Sequence, residues 1–175
     1  MSSAQPAPVT VNWLDNDKLA REMFAKGHAF ELVVAAFFRA HGLSVTVGEQ
    51  SVRDSVHDRD QYRAEIDLCV AGVSVEVKSR NVNRWFDPMN LCSLRGWAEK
   101  KGKVGVWVIV SQKTGEMLVI SGQKAMRHAT VETTRDPGRG IESYKVVRVP
   151  LRHFSKPEFA IDWLKSVERM AKQDR

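Results

Sequence analysis

This 175-residue chain predicts an α/β fold with a central mixed sheet flanked by helices. Three observations predict it: a long helical segment near the start, a tightly connected pair of alternating segments after it, and a later run that is almost wholly apolar.

The first element is a helix over residues 17–41. Asn16 or Asp15 can cap it, good helix formers fill Lys18 to Phe24, and Gly42 supplies the C′ stop. Its second half, Ala29-Phe30-Glu31-Leu32-Val33-Val34-Ala35-Ala36-Phe37-Phe38, holds one carboxylate in a run expected to be buried on most sides. An unpaired buried charge is costly, so Glu31 needs a partner, and His28 lies one turn earlier on the same face. His41 closes the helix, where a cation suits the dipole. Residues 43–47 alternate as a first strand. Residues 49–63 are charged and show no apolar period; they read as a loop with Arg53, His57, Arg59 and Arg63, leading into Asp67 and placed to close over a substrate.

On either side of Ala71-Gly72 the residues alternate with period two, which predicts an antiparallel hairpin. With Val70 opposite Val73, counting sets Leu68 opposite Val75, Asp67 opposite Glu76 and Glu65 opposite Lys78. Ile66, Leu68, Val70, Val73, Val75 and Val77 then form a buried face, and Glu65, Asp67, Cys69, Ser74, Glu76 and Lys78 the other. Like charges facing each other at about 5 Å destabilise a strand pair, so Asp67 and Glu76 call for a cation. Mg2+, a hard cation that takes oxygen ligands from one or two carboxylates plus water and phosphate, suits them. Lys78 points the same way, placed to orient water or offset phosphate charge.

Beyond the hairpin, residues 81–88 are rich in turn formers, and residues 89–101 read as a helix ended by Gly102. Residues 103–110 are an apolar strand covered on both faces. Residues 117–120 and 144–149 are further strands, and residues 157–170 form an amphipathic closing helix with Pro157 near N1. Trp107 and Trp163 are expected in the core.

Composition sets the class. Lys and Arg number 27 against 21 Asp and Glu, a net charge of +6 that suits a polyanionic partner. Two cysteines fit neither a disulfide framework nor a zinc pattern, so reduced thiols and a cytoplasmic location are expected, with Cys69 on the site face. Without an apolar run of eighteen residues, no membrane partner is expected. The start, Met1 to Pro8, lacks the features of a signal peptide. Residues 1–12 are expected to be a flexible tail and 13–175 one domain.

Asp67, eight residues, then Glu76-Val77-Lys78 resembles the D-x(n)-E-x-K core of the PD-(D/E)XK nuclease superfamily, the restriction-endonuclease-like fold, with Ile66 where a Pro often precedes the Asp. Gly27-His28-x-x-Glu31 resembles the G-x-x-x-E helix of its archaeal Holliday-junction resolvases. The order helix, strand, strand, strand, helix, strand over residues 17–110 is the αβββαβ core of that fold, which leaves 111–175 as peripheral elaboration.

The resemblance implies a Mg2+-dependent endonuclease, with Mn2+ substituting, that hydrolyses phosphodiester bonds in DNA, branched or structured DNA included. Asp67, Glu76 and the carbonyl of Val77 would hold the metal, Glu31 would bind or steer a second metal or its water, and Lys78 would position the nucleophile. Arg80 and Arg84 beside Trp85 and Phe86, and Lys100, Lys101 and Lys103, are the expected backbone contacts. A homodimer could reach both strands of a duplex, using Trp85-Phe86 or the apolar face of the last helix. The rival classes are a non-catalytic nucleic-acid-binding or protein-interaction module on the same fold, and a small-molecule metalloenzyme.

Overall fold

The computed structural model describes residues 17–48, 66–136 and 141–173. The tail at 1–12, the helix cap, the loop at 49–63 and Glu65 lie outside the described residues.

Helix α1 spans Asp17–Ala40 and strand β1 Val45–Val47; Gly42 takes φ +79° just past the helix, as a C′ glycine should. His41 Nδ1 lies 2.8 Å from the Phe37 carbonyl, a polar contact at the helix end. The hairpin is β2 (Leu68–Val70) and β3 (Val73–Arg80). Ala71 and Gly72 both have positive φ, 53° and 80°, the signature of a two-residue turn whose twist matches its strands. The register is the counted one, with Val70 opposite Val73, Cys69 opposite Ser74 and Leu68 opposite Val75.

The segment expected to be one helix over 89–101 divides in two. Met89–Ser93 is strand β4, and only Leu94–Lys100 is helical (α2), because the Ser93 side chain accepts from the Gly96 N–H and starts the helix there. Strand β5 (Val106–Ser111) is buried at all six positions, as its composition predicts. Then come β6 (Met117–Ser121), α3 (Gly122–His128), β7 (Thr130–Asp136), β8 (Ile141–Val149), a 3-10 turn at Leu151–His153 and α4 (Glu158–Gln173).

The central sheet is mixed, in the order β1-β2-β3-β5-β6, with β3 and β5 parallel and the other pairs antiparallel. Its first face carries Leu68, Val70, Val75, Val77, Val106, Val108, Val110 and Val119, packed under Val34, Ala35 and Phe38 of α1 and Ile161 and Leu164 of α4. Its second face carries Trp107, Ile109 and Ile120 and is covered by Met89, Leu91, Val147 and Val149 of a three-stranded sheet β4-β8-β7, together with Trp97 and Ala125. Within residues 111–175, β6 joins the central sheet and β8 covers its second face.

Three packing expectations change. Ile66 packs with the second cluster rather than among the aliphatic residues of its hairpin. Trp163 is 46% exposed, since the inward stripe of α4 is Ile161 and Leu164. The apolar run of α1 is buried on one side only, with Leu32 and Val33 about half exposed. No described helix is long and apolar enough to cross a membrane.

Candidate active site

Strand pairing brings the polar residues of the hairpin under cover. Because β3 lies parallel to β5 with Glu76 beside Trp107 and Lys78 beside Ile109, both polar residues share the second face with apolar neighbours. Glu76 is 0% exposed. A lone carboxylate there would be prohibitively costly, and two ammonium groups answer it: Lys78 and Lys100 both donate to Glu76 Oε1. Burial pushes the Glu76 carboxyl upward, but the two lysines outweigh it and hold it below the usual carboxylate range. Its second oxygen, Oε2, is buried and has no hydrogen-bond partner among the described residues.

Asp67 sits just before β2 and not within it. Strand β2 begins at Leu68 whereas β3 runs on to Arg80, and Asp67 Oδ2 accepts the Val77 N–H at 2.7 Å. The residue expected opposite Glu76 in a ladder thus caps the β3 backbone with its side chain. Gly48 fixes its main chain: the Gly48 N–H donates to the Asp67 carbonyl at 2.9 Å, and a Cβ at Gly48 would stand 2.6 Å from the Ile66 carbonyl oxygen. Burial, foremost, pushes the Asp67 carboxyl up to about 6; Lys78 and Lys100 oppose the rise, while Glu76 and Glu31 add to it.

Lys78 keeps its side chain 29% exposed, so it reaches from the buried carboxylate toward solvent. Burial disfavours its charge, yet Glu76 and Asp67 outweigh that and raise it above the usual lysine range. It is therefore a fixed cation and donor in this state rather than a base.

Glu31 stands beside this group, its Oε2 3.1 Å from His28 Nδ1, as the one-turn spacing predicts. Its charge still acts on Asp67. Among the described residues no three His, Cys, Asp or Glu side chains gather as a ready-made metal cage. The donor set is two carboxylates, one with an unpartnered buried oxygen, which fits a hard cation completed by water and substrate phosphate.

The expected phosphate-binding residues divide. Arg84, Lys101 and Lys103 are exposed. Arg80 is half-buried and donates to the carbonyls of Ser79, Asn90 and Leu91, satisfying the oxygens of the β4 bulge between Asn90 and Cys92 and tying the two sheets together. Lys100, expected on the surface with its neighbours, is 8% exposed and turned onto Glu76. The signal was present in the sequence: Leu94, Trp97 and Lys100 recur every three residues along one side of α2, and Trp97 is buried. Cys69 is exposed, whereas Cys92 is the cysteine whose surroundings include Lys78 and Glu76. Burial raises the Cys92 thiol to about 11, which leaves it protonated and inert.

No family model and no curated protein matches this chain. Among solved structures it is similar to D212, a nuclease from a fusselovirus, with a TM-score of 0.44 and 11% identity over 97% of this chain and 99% of that one. At that score the likeness is one of broad architecture, and the roles of the residues rest on their own geometry.

Proposed function

We propose that this protein is a metal-dependent nuclease that hydrolyses phosphodiester bonds in DNA. The observation that carries the reading is the buried, ionised Glu76, with an oxygen unpartnered among the described residues, beside Asp67 and bonded to the partly exposed Lys78. Such a group is expensive to fold and finds its use in chemistry.

Asp67 and Glu76 would hold Mg2+ or Mn2+, with the Val77 carbonyl as the nearby backbone ligand and Glu31 acting through its charge on Asp67. When bound, the metal offsets charge on the attacked phosphate and the leaving oxygen and acidifies water. The residues of the chain do the rest. Lys78, a cation anchored at one side by Glu76, orients the attacking water and stabilises the phosphate oxygens. Asp67 is held in place through its side chain by Val77 and through its backbone by Gly48. Arg84, Lys101 and Lys103 supply exposed charge for the nucleic-acid backbone.

A non-catalytic module is favoured by one observation, that Lys78 and Lys100 both pair with the Glu76 carboxylate and offset its charge. Cleavage separates the two readings. Single-stranded, duplex, flapped and four-way-junction DNA, with RNA alongside, are incubated with Mg2+, Mn2+ or EDTA and wild-type or Lys78→Ala protein. Metal-dependent products that vanish in the variant are expected. Binding without products across the panel would leave the non-catalytic module.

A further inference from the structure

Lys100 comes from α2, outside the hairpin, and its placement needs an explanation. A buried lysine is rare unless paired, and Glu76 already has Lys78. Both ammonium groups converge on Oε1 and leave Oε2 without a partner among the described residues. The two hairpin carboxylates, Asp67 and Glu76, thus face two lysine cations. A divalent ion approaching this group meets Asp67 and Glu76, with Glu31 nearby, already offset by the two lysine cations in a poorly solvated place, where each charge acts strongly.

We propose that Lys100 is a positioning residue that stands in for a metal at Glu76, holding that carboxylate in place while keeping the affinity of the free site for divalent cations low. Lys78 is partly exposed and open to a substrate, whereas Lys100 is walled in and its charge stays. The negative charge of a bound phosphate backbone restores the attraction, so the cation and the nucleic acid are taken up together. This inference rests on the metal-site reading above and deepens it.

The sign of the effect separates this role from a structural one. Disordering a metal site weakens binding, whereas removing a resident cation tightens it. Mn2+ binding to the full chain is measured by calorimetry and by the loss of free-ion paramagnetic signal, without nucleic acid, for wild type, Lys100→Met, Lys100→Gln, Lys100→Arg and Asp67→Asn. Near-ultraviolet dichroism reports folding, because the Trp97 and Trp107 rings, 6.0 Å apart, flank the site. Lys100→Gln keeps a donor to Glu76 and serves if the Met variant does not fold.

Lys100→Met and Lys100→Gln are expected to bind Mn2+ about tenfold more tightly than wild type or better, with Lys100→Arg close to wild type and Asp67→Asn not binding. Adding a duplex with hydrolysis-resistant phosphorothioate linkages tightens Mn2+ binding by wild type more than by the neutral variants. If the neutral variants bind Mn2+ no better than wild type while Asp67→Asn abolishes binding, the metal site stands and the role of Lys100 is overturned. If no variant binds Mn2+, or Asp67→Asn binds as wild type does, both readings fall.

Discussion

The two faces of the central sheet are built from one set of strands and obey different rules. The first is a continuous aliphatic surface, in which Val75, Val77, Val106, Val108 and Val110 lie under α1 and α4. The second places a carboxylate and two ammonium groups among Trp97, Trp107 and Ile109. The aliphatic face draws its stability from area removed from water and tolerates apolar side chains of the right volume. On the polar face each group is affordable only because the others are present, so its stability is conditional. The first face makes the sheet and the second carries the candidate site.

That contrast is broken most severely at Glu76. Glu76→Gln leaves the buried Lys100 ammonium without its counter-charge and should lower stability by about 3–5 kcal/mol in chemical denaturation. Replacing Glu76 by Leu and Lys78 and Lys100 by Met together should recover most of that loss while abolishing Mn2+ binding. A triple variant no more stable than Glu76→Gln would show that the polar face is held by shape rather than charge.

On the aliphatic face, Leu164→Ala, at a fully buried position of α4, should cost about 3 kcal/mol through the cavity it leaves. Mn2+ affinity should stay at its wild-type value under conditions where the variant is folded. A change in affinity would mean that the two faces are coupled through the strands.

Asp67 sharpens the comparison through pH. Its folded carboxyl is raised from an ordinary 3.8 to about 6, so the folded chain binds this proton more tightly than the unfolded chain. The stability it contributes is complete below about pH 4 and is lost as pH rises through about 6. Asp67→Asn keeps an oxygen for the Val77 N–H and never ionises. Calorimetry in EDTA should therefore find it more stable than wild type by about 3 kcal/mol at pH 8, with the gap closing at pH 4. An equal gap at both values would assign the effect to packing.

The smallest effect belongs to the surface. Lys101→Ala should leave folding and Mn2+ binding unchanged and weaken DNA binding slightly, reducing the salt slope of log affinity by about 1 if it contacts a phosphate. An unchanged slope in fluorescence anisotropy would remove Lys101 from the interface.

Much of this was legible in the chain. The hairpin register followed from Ala71-Gly72 and the flanking alternation, because period two and a two-residue turn leave a single pairing. The His28–Glu31 contact followed from helical spacing, and the double-sided burial of β5 from its composition. The first half of the helix expected over 89–101 is a strand because Met89 to Ser93 pairs with β8, more than fifty residues later, and a pairing that distant leaves no local trace. Trp163 was misplaced because aromatic size says nothing about which side of α4 turns inward.

By itself, then, the sequence determined the hairpin, its register and the acid-acid-lysine set, since these depend on residues a few positions apart. Only the tertiary structure decided that Glu76 is sealed from water and that Lys100 shares it with Lys78. It decided too that Arg80 braces the β4 bulge instead of facing solvent. Burial and charge pairing are set by what distant segments lay over a strand, and alternation within a strand names a face without saying what will cover it.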